Sequence, residues 1–263
     1  MRKAYKPITP GTRHQVRIVM DSRDTGVQFV PKSLISGKPS SGGRNNHGRI
    51  VSYHRGGGAK RKYRELSYDW SSLVVYGIQY DPNRSSNIAI GLDNNGIERY
   101  VLAGDGVSVG DVLKRGVNIP LVEGNVTTRS SIVIGTNVYN IQLIPGSTFS
   151  IARAAGAYST VVSKSNGYVV RRMPSGKLRR FIPECIATIG KVGGIDHFIE
   201  VVGKAGRNRN WGWRSIVRGV AMNPIDHPHG GRTKGGRPDV TPWAWPTKGQ
   251  PTRIKRKNSY YIV

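Results

Sequence analysis

The stretch Leu73-Val74-Val75-Tyr76-Gly77-Ile78-Gln79-Tyr80 decides the fold class of this 263-residue chain. Its β-branched and aromatic residues favour an extended strand, and the turn residues Asp81-Pro82-Asn83 that follow would end it. Two further apolar runs, 88–92 and 97–103, flank Asp93-Asn94-Asn95-Gly96, a pattern typical of a β-hairpin. The sequence therefore predicts antiparallel β-structure in this part of the chain.

A second set of short apolar runs continues this pattern towards the C-terminus. Residues 107–111 and the polar run after them close the first set, and the second set begins near Thr128. Two sets of about five short strands each indicate two small barrels rather than a parallel sheet, divided near residues 124–128. The predicted strands of the second set are 131–134, 138–144, 158–163, 168–173, 178–182 and 186–189, with turns at 145–146, 166–167 and 174–176.

Positive charge is concentrated at the two ends of the chain. Residues 1–64 contain fifteen Lys/Arg and two Asp/Glu, and residues 203–263 contain thirteen and two. Residues 65–202 contain thirteen and eleven and are close to neutral, although the whole chain carries a formal net charge of +26. Such an excess implies a polyanionic partner, either nucleic acid or an anionic surface. We predict a basic arm over 1–64, barrels over 65–127 and 128–202, and a second basic arm over 203–263.

Composition excludes or disfavours several classes of protein. Cys185 is the single cysteine, which excludes an intramolecular disulfide and fits a reducing compartment. No apolar run reaches the ~18 residues that a membrane-spanning helix needs. Residues 1–23 are basic, but Pro7 and Pro10 argue against an amphipathic transit helix. We therefore expect no membrane span and no cleavable targeting segment.

The N-terminal arm interleaves glycine with cationic and amide side chains. It lacks sustained periodicity, apart from a short apolar run over 16–20 that predicts a strand. Residues 42–49 read Gly-Gly-Arg-Asn-Asn-His-Gly-Arg, and residues 54–64 read His-Arg-Gly-Gly-Gly-Ala-Lys-Arg-Lys-Tyr-Arg. Glycine allows close approach of the main chain, and the side chains supply hydrogen-bond donors. A disordered basic tail is the alternative, but the mixture of Asn, His and Tyr favours an arm that orders on RNA.

The C-terminal arm places tryptophans among cations. Trp211 and Trp213 lie in the basic run 203–214. Their indoles could stack on unpaired bases or pack against the protein, and for Trp213 we favour packing on a barrel. Trp243 and Trp245 lie in a stretch too rich in proline for regular structure.

Two basic pairs face each other across the predicted turn at 174–176. Arg171-Arg172 and Arg179-Arg180 could protect an exposed sheet edge or bind a phosphate, and the sequence leaves both functions open.

Earlier in the chain, the run Ser-Ile-Ala-Arg-Ala-Ala-Gly at 150–156 favours one helical turn that the glycine ends.

Residues 218–237 have few side chains with which to build a core. Two prolines and five glycines rule out a regular helix or a central strand. The segment nevertheless contains Asp226, His227, His229 and several cations. A phosphate backbone would supply the missing contacts, because glycine N–H groups approach closely and arginine forks onto phosphate oxygens. We predict a loop embedded in RNA.

Asp226-His227-Pro228-His229 also suggests catalysis or metal binding. A zinc site needs three or four ligands, whereas the other histidines are scattered. Hydrolysis by a Ser/His/Asp triad needs a nucleophile on a strained turn, and no Gly-x-Ser-x-Gly occurs. The glycine runs 56–58 and 230–231 lack the Gly-Lys-Ser/Thr of a P-loop. We interpret Asp226 as a turn acceptor, and expect neither enzyme activity nor a cofactor, apart from magnesium associated with RNA.

Long ordered stretches of the chain resemble the family of the second large-subunit ribosomal protein, in its bacterial and organellar form. The resemblance covers nearly the whole length. It implies an OB-like barrel followed by an SH3-like barrel, with both arms threaded into large-subunit rRNA. The stretches that carry it are 43–49, 55–58, 60–64, 80–84, 152–156, 174–176, 185–190 and 218–231.

The resemblance implies a structural role in translation. Its implied functions are support of the peptidyl transferase centre, subunit association and tRNA binding. The implied partners are large-subunit rRNA, other large-subunit ribosomal proteins, the small subunit at an intersubunit bridge and, indirectly, tRNA, with no membrane contact. In the family, a histidine of the 218–231 segment was proposed to assist peptide-bond formation, and His229 is the counterpart we favour over His227. We expect a structural donor there, because RNA performs that chemistry.

The motifs and the resemblance together define the predicted site residues. Those expected near the peptidyl transferase centre are Asp226, His227 and His229. Of the rRNA-binding set, Asn45, His47, His54 and His229 would donate to bases or 2′-hydroxyls. The full set is Arg44, Asn45, Asn46, His47, Arg49, His54, Arg55, Gly56, Gly57, Gly58, Lys60, Arg61, Lys62, Arg64, Arg153, Arg171, Arg172, Lys204, Arg207, Arg209, Arg214, Arg218, Asn223, His227, His229, Arg232, Lys234 and Arg237.

The chain departs from the family pattern at two places. After Gly231 the family continues with glycine and glutamate, where this chain has Arg232-Thr233-Lys234, and the end 260–263 is apolar rather than basic. Residues 245–249 are similar to α-proteobacterial and mitochondrial members, which favours a mitochondrion-encoded protein over a bacterial one.

Two rival functions are a free-standing single-strand binder built on the OB-like barrel and a hydrolase using Asp226 and a histidine.

Overall fold

The structure, a computed structural model, describes residues 2–20, 30–128, 130–165, 167–231, 239–249 and 262, and these are mainly β-structure. Among them are one α-helix, α1 (Ala205–Asn210), and 3-10 helices at Lys32–Leu34, Ile195–Ile199 and Gly219–Ala221. No helix in these ranges has the length and apolar character needed to cross a bilayer. The strands are β1 (Arg2–Ala4), β2 (Val16–Ile18), β3 (Ile35–Lys38), β4 (Arg61–Arg64), β5 (Ser72–Gln79), β6 (Ile88–Asp93), β7 (Glu98–Leu102), β8 (Val112–Gly116), β9 (Val126–Thr128), β10 (Asn137–Tyr139), β11 (Ile141–Gln142), β12 (Phe149–Ile151), β13 (Ser159–Ser165), β14 (Tyr168–Arg172), β15 (Leu178–Phe181) and β16 (Ile186–Ile189).

The chain divides into two compact units. One, which we call the body, comprises Met1–Pro39, Lys60–Ala205 and Tyr260–Val263. The other, which we call the arm unit, comprises Ser40–Ala59 and Gly206–Ser259. The sequence predicted two separate basic arms, whereas the structure joins parts of both arms in one unit.

The first half of the body is an OB-like barrel built around antiparallel pairs. β5 pairs with β6 and β8, and β6 pairs with β7. Gly96 makes the β6–β7 turn at φ 72°, and its N–H donates to the Asp93 carbonyl at 2.8 Å. Trp70, Leu73 and Leu113 are among the buried side chains that fill this half. The strands predicted at 73–80, 88–92 and 97–103 are therefore confirmed.

The second half of the body is SH3-like. β10, β13, β14, β15 and β16 form antiparallel pairs over a core that includes Ile132, Val138, Val161 and Phe181. β9 pairs antiparallel with β16 and parallel with β8, so ten strands form one continuous sheet. The predicted fold class, an OB-like barrel followed by an SH3-like barrel with basic extensions, is confirmed.

Several local predictions differ from the structure. Residues 131–134, predicted as a strand, form turns, and the run 107–111 precedes β8 rather than belonging to it. The predicted strand 138–144 breaks into β10 and β11 at Asn140, whose φ is 47°. The predicted helical turn at 150–156 is also wrong. It begins inside β12 and continues through Ala152 at φ 53°, a left-handed conformation, and the Asn140 N–H donates to the Ala152 carbonyl at 2.9 Å.

Three two-stranded sheets complete the described part of the body, and one of them is the antiparallel pair of β11 with β12. β1 pairs antiparallel with β2, which confirms a strand in the run 16–20, and the Val16 main chain also bridges to Val201. β3 and β4 form an antiparallel pair with Ile35 opposite Arg64. β4 thereby presents part of the predicted rRNA-binding set on a strand rather than on an irregular arm.

Candidate nucleic-acid interface

In the arm unit, residues 42–52 form a loop that its own main chain closes. The Gly43 carbonyl accepts hydrogen bonds from the N–H groups of Val51 and Ser52, at 2.9 and 3.1 Å. Gly43 has φ 79°, and a Cβ there would collide with the Ser52 carbonyl. Only glycine satisfies both demands without strain. The glycine that the sequence analysis assigned to RNA access thus first closes this loop.

Asn45 fixes the tip of the same loop. Its side-chain Oδ1 accepts the N–H groups of His47 and Arg49, both at 3.0 Å. Its own N–H donates to the Arg49 carbonyl at 2.9 Å. The side-chain oxygen is therefore already engaged, whereas Asn46, His47 and Arg49 are exposed at the tip.

The glycines at 56–58 bring the N-terminal segment against the C-terminal one. The Gly56 N–H donates to the Gly212 carbonyl at 2.9 Å, and the Ala59 N–H donates to the Asn210 carbonyl at 2.8 Å. A Cβ on Gly58 would stand 2.7 Å from the Gly212 nitrogen. We call these paired main chains the seam. The seam gives Gly56 and Gly58 a role inside the protein that the sequence analysis did not anticipate.

Arg55 and Trp213 pair along the seam. Their main chains form an antiparallel bridge, and the Arg55 guanidinium carbon lies 3.1 Å from the centre of the Trp213 ring. The Arg214 N–H donates to the His54 carbonyl at 2.9 Å. Trp213 therefore packs on an arginine of the other arm, and the prediction that it packs on a barrel is wrong.

A cavity of about 260 Å³ opens beside the seam. Predicted residues contribute three guanidinium groups and an imidazole to its lining. Sequence reasoning missed the apolar and hydroxyl part of the lining, because no local pattern marks Ile50, Tyr53 or Ser215. The lining residues are Gly42, Arg44, Ile50, Ser52, Tyr53, His54, Arg55, Arg214 and Ser215.

The loop 219–231 is held by main-chain hydrogen bonds and by one histidine. The N–H groups of Asp226 and His227 donate to the Asn223 carbonyl at 3.0 and 3.3 Å. His227 is 8% exposed, and its Nδ1 accepts the His229 N–H at 2.9 Å. A Cβ on Gly219 would stand 2.8 Å from the His227 ring. The loop follows turns and a single 3-10 helix, in agreement with its proline and glycine content.

The same loop gives little geometric support for catalysis. The rings of His227 and His229 lie 4.5 Å apart, centre to centre. The Nδ1 atom of His227 is engaged with the main chain, and the Asp226 side chain is exposed. Across the described ranges, no group of three or more His, Cys, Asp or Glu side chains is placed to hold a metal ion.

In the body, Asp81 organises the predicted cations of β4 and its neighbours. The Asp81 side chain is fully buried, and its Oδ2 accepts from Arg84 Nε at 2.6 Å. Arg64 Nη1 lies 3.7 Å from Asp81 Oδ1, and Arg61 Nη1 donates to the Pro82 carbonyl at 3.1 Å. Arg64 and Arg61 therefore support the fold, and Lys60 and Lys62 remain exposed beside them.

Arg171 is the predicted rRNA contact that the structure most clearly corrects. It is fully buried in β14, directly opposite Arg179 on β15, with its guanidinium carbon 6.0 Å from the Phe181 ring centre. A side chain inside the barrel does not reach a phosphate on the surface. Arg172, the next residue, points the other way and is exposed, as successive strand residues do. Arg153 is partly buried, and its Nη1 donates to the Phe149 carbonyl at 2.7 Å.

The remaining predicted residues sort by exposure. Arg55, Arg207 and His229 are partly buried. Arg232, Lys234 and Arg237 lie outside the described residues. The exposed members of the set are Arg44, Asn46, His47, Arg49, His54, Gly57, Gly58, Lys60, Lys62, Arg172, Lys204, Arg209, Arg214, Arg218 and Asn223.

Exposed cations on loops closed by main-chain hydrogen bonds, in a chain that also forms small β-barrels, are typical of a nucleic-acid-binding protein. Sequence models of two domains match the chain. They are "Ribosomal Proteins L2, RNA binding N-terminal domain" over residues 31–114 and "Ribosomal Proteins L2, C-terminal domain" over residues 122–244. Because the two matches cover most of its length, the chain belongs to the ribosomal protein L2 family. It is a structural, RNA-binding protein of the large ribosomal subunit, with rRNA and ribosomal proteins as partners. A free-standing single-strand binder is not favoured.

Proposed function

We propose that the arm unit is the principal rRNA-binding surface of this protein. The observation that carries the proposal is its charge. Ser40–Ala59 and Gly206–Ser259 contain fifteen Lys/Arg and two Asp/Glu, a net +13 in about a quarter of the chain. Phosphate neutralisation by Lys and Arg dominates affinity for nucleic acid, and it needs cations held at defined positions.

The contacts would divide between phosphates and RNA-specific groups. Exposed guanidinium groups such as Arg44, Arg49 and Arg218 suit phosphate oxygens, because arginine donates in a fork. His47 and His54 are exposed donors for bases or 2′-hydroxyls. In the body, Lys60 and Lys62 are exposed and are further candidates for phosphate contacts.

The loop 219–231 is proposed to support the peptidyl transferase centre. Its main chain is fixed by Asn223 and His227, so it would reach an RNA junction as a preformed shape. Asp226, His227 and His229 act there as structural groups, with no enzyme activity and no cofactor of the protein's own. Magnesium bound to the rRNA would be the ion nearby. Subunit association at an intersubunit bridge and indirect tRNA binding belong to the same proposal.

The proposed compartment is the mitochondrial matrix, with the bacterial cytoplasm as the alternative. The similarity of residues 245–249 to α-proteobacterial and mitochondrial members supports the first. Detection of the protein in purified mitoribosomes, by mass spectrometry of gradient fractions, would test it directly. Its presence only in bacterial ribosomes would exclude it.

A binding experiment with transcribed large-subunit rRNA tests the function of the arm unit. In the variant, Arg44, Arg49, Arg214 and Arg218 are changed to Gln, which keeps side-chain length and removes four exposed charges. Each phosphate contact contributes roughly 0.7–0.9 to the slope of log K against log salt. We expect that slope to fall by about 3, and incorporation into large subunits to be lost.

The control variant removes two exposed charges from the body, so its loss is compared with that of the first variant per charge removed. Lys177 and Arg180 are exposed near the β14–β15 turn and are changed to Gln. We expect this variant to bind and to incorporate nearly as the unchanged protein does. Equal losses in both variants would mean that net charge, and not the arm unit, determines binding.

A further inference from the structure

The cavity beside the seam differs from the open cationic surface around it. It is a cleft open to solvent with a volume of about 260 Å³, slightly below the lower end of small-molecule pockets at roughly 300 Å³. A volume of this size admits one flat ring system with its attached group, and it excludes a double helix. The cavity therefore suits a single residue of a polymer or a small ligand.

Its walls combine two chemistries. Ile50 and Tyr53 are 47% and 56% exposed and present apolar and aromatic surface to the opening. Arg44 and Arg214, both exposed, bring positive charge to the same cavity, and Ser215 adds a hydroxyl. An aromatic face beside guanidinium groups is the arrangement that proteins use to hold an unstacked base and its phosphate.

The backbone between these walls is unusual. His54, between Tyr53 and Arg55, has φ 55°, a conformation that non-glycine residues rarely adopt. The His54 carbonyl accepts a hydrogen bond from the Arg214 N–H. The next residue, Arg55, places its guanidinium group over the Trp213 ring. Strained conformations that the surroundings enforce are concentrated at ligand-binding sites. The strain here lies in the wall of the cavity.

We propose that this cavity binds one unpaired nucleotide of large-subunit rRNA. The base lies against Ile50 and Tyr53, and the phosphate lies at Arg44 and Arg214. The ring centre of Trp243 lies 5.9 Å from that of Tyr53, so the two aromatic rings are in contact. The proposal rests on the proposed function, since it takes RNA to lie on the arm unit.

Ultraviolet crosslinking of the full-length protein to transcribed large-subunit rRNA gives the first test. After digestion of both components, mass spectrometry should find a single-nucleotide adduct on Tyr53 or on another residue of the 50–55 segment. This measurement uses the unchanged protein and does not depend on the folding of a variant. Adducts found only elsewhere, on a complex that forms normally, would overturn the cavity proposal and leave the proposed function standing.

Chemical probing of the rRNA with variant proteins gives the second test. Tyr53→Leu keeps apolar volume and removes the ring, and Tyr80→Leu changes another exposed tyrosine, located in the body, as the control. We expect Tyr53→Leu to unmask one nucleotide while the rest of the footprint persists, and to weaken binding by roughly five- to 150-fold. Tyr80→Leu should do neither.

The outcomes separate the two proposals. An unchanged footprint for Tyr53→Leu would overturn the nucleotide site, with rRNA binding intact. Failure of the unchanged protein to bind the rRNA at all would overturn the proposed function and this inference together.

Discussion

In the loop 219–231, the ring of His227 lies against Gly219, and its Nδ1 accepts the His229 N–H. The imidazole thus completes the main-chain hydrogen bonds of a segment that has no regular structure. Asn45 does the same for the loop 42–52 with its side-chain oxygen. At both places a polar side chain that looks reactive or RNA-binding in the sequence is used to shape the backbone.

Gly230 offers a test of this packing at a single residue. A Cβ there would collide with the Asn223 carbonyl, which is backbone and cannot move aside alone. We expect Gly230→Ala to open the loop, with hydrogen exchange of the Gly230 N–H, which donates to the His227 carbonyl at 2.8 Å, accelerated at least tenfold. In Gly206→Ala the new methyl group meets nothing within 4 Å, and helix α1 should be unchanged or slightly more stable. Equal exchange in both variants would contradict the description of the loop.

At the scale of elements, the buried carboxylate of Asp81 connects the two-stranded β3–β4 sheet to the OB-like barrel. Arg84 and Arg64 approach it, the Asn83 N–H donates to it at 2.9 Å, and Asn83 Nδ2 donates to the Lys62 carbonyl at 2.6 Å. The motif 80–84, recognised in the sequence only as a turn and a family resemblance, is therefore the junction between two sheets.

Asp81→Asn should destabilise the body by about 3–5 kcal/mol, because a buried charge pair loses one partner and leaves arginine uncompensated. Urea unfolding followed by circular dichroism would measure it. Asp69→Asn changes an exposed carboxylate of the body and should stay within about 0.5 kcal/mol of the unchanged protein. A loss below 1 kcal/mol for Asp81→Asn would mean that the junction is held by its hydrogen bonds alone.

Buried phenols make the barrels sensitive to alkali. Burial raises the pKa of Tyr68, and raises that of Tyr139 further above the ordinary value of about 10. The folded state favours the neutral phenol, so its contribution to stability is complete below pH 10 and is lost as the pH rises above that value. We expect the free energy of unfolding to fall as the pH rises above about 10, with a shallower decline in Tyr139→Phe. An unchanged decline in that variant would assign the effect to other groups.

The sequence predicted the strands wherever local pattern and local contacts coincide. β5, β6 and β7 follow β-branched runs bounded by turn residues, and neighbours in sequence pair with each other. The errors at 138–144 and 150–156 have a different origin. There the chain direction is set by Asn140 and Ala152 in left-handed conformations, and by pairing of β11 with β12, which no local pattern records. The seam was missed for the same reason, since Gly56–Gly58 meet residues from the far end of the chain.

At the scale of the whole chain, the two basic arms meet in one unit. The sequence analysis attributed their shape to RNA, whereas the seam supplies hydrogen bonds from the protein itself. RNA and the seam are compatible, because a surface whose main chain is already fixed loses less entropy when phosphates bind. The sequence predicted the RNA partner correctly, because the net charge of the arms does not depend on the conformation of their backbone.

Gly58→Val tests the seam. The added side chain begins 2.7 Å from the Gly212 nitrogen, so the two main chains must separate. In the absence of RNA, we expect trypsin to cleave the Gly58→Val variant after Arg55 at least tenfold faster than it cleaves the unchanged protein. Gly37→Val, at a glycine with nothing within 4 Å of its Cβ position, is the matched control and should leave cleavage unchanged. Equal protection in both variants would show that the seam does not hold the N-terminal segment.

The pairing of Arg55 with Trp213 also determines when the seam can form during synthesis of the chain. The two partners are 158 positions apart, and a ribosome adding roughly 5–20 residues per second needs on the order of ten to thirty seconds to make the residues between them. Throughout that interval the glycine-rich N-terminal segment lacks the C-terminal residues with which it later forms the hydrogen bonds of the seam. During this time the cationic segment can bind nucleic acids non-specifically. Only after Trp213 has been synthesised can the seam form and fix the conformation of the segment.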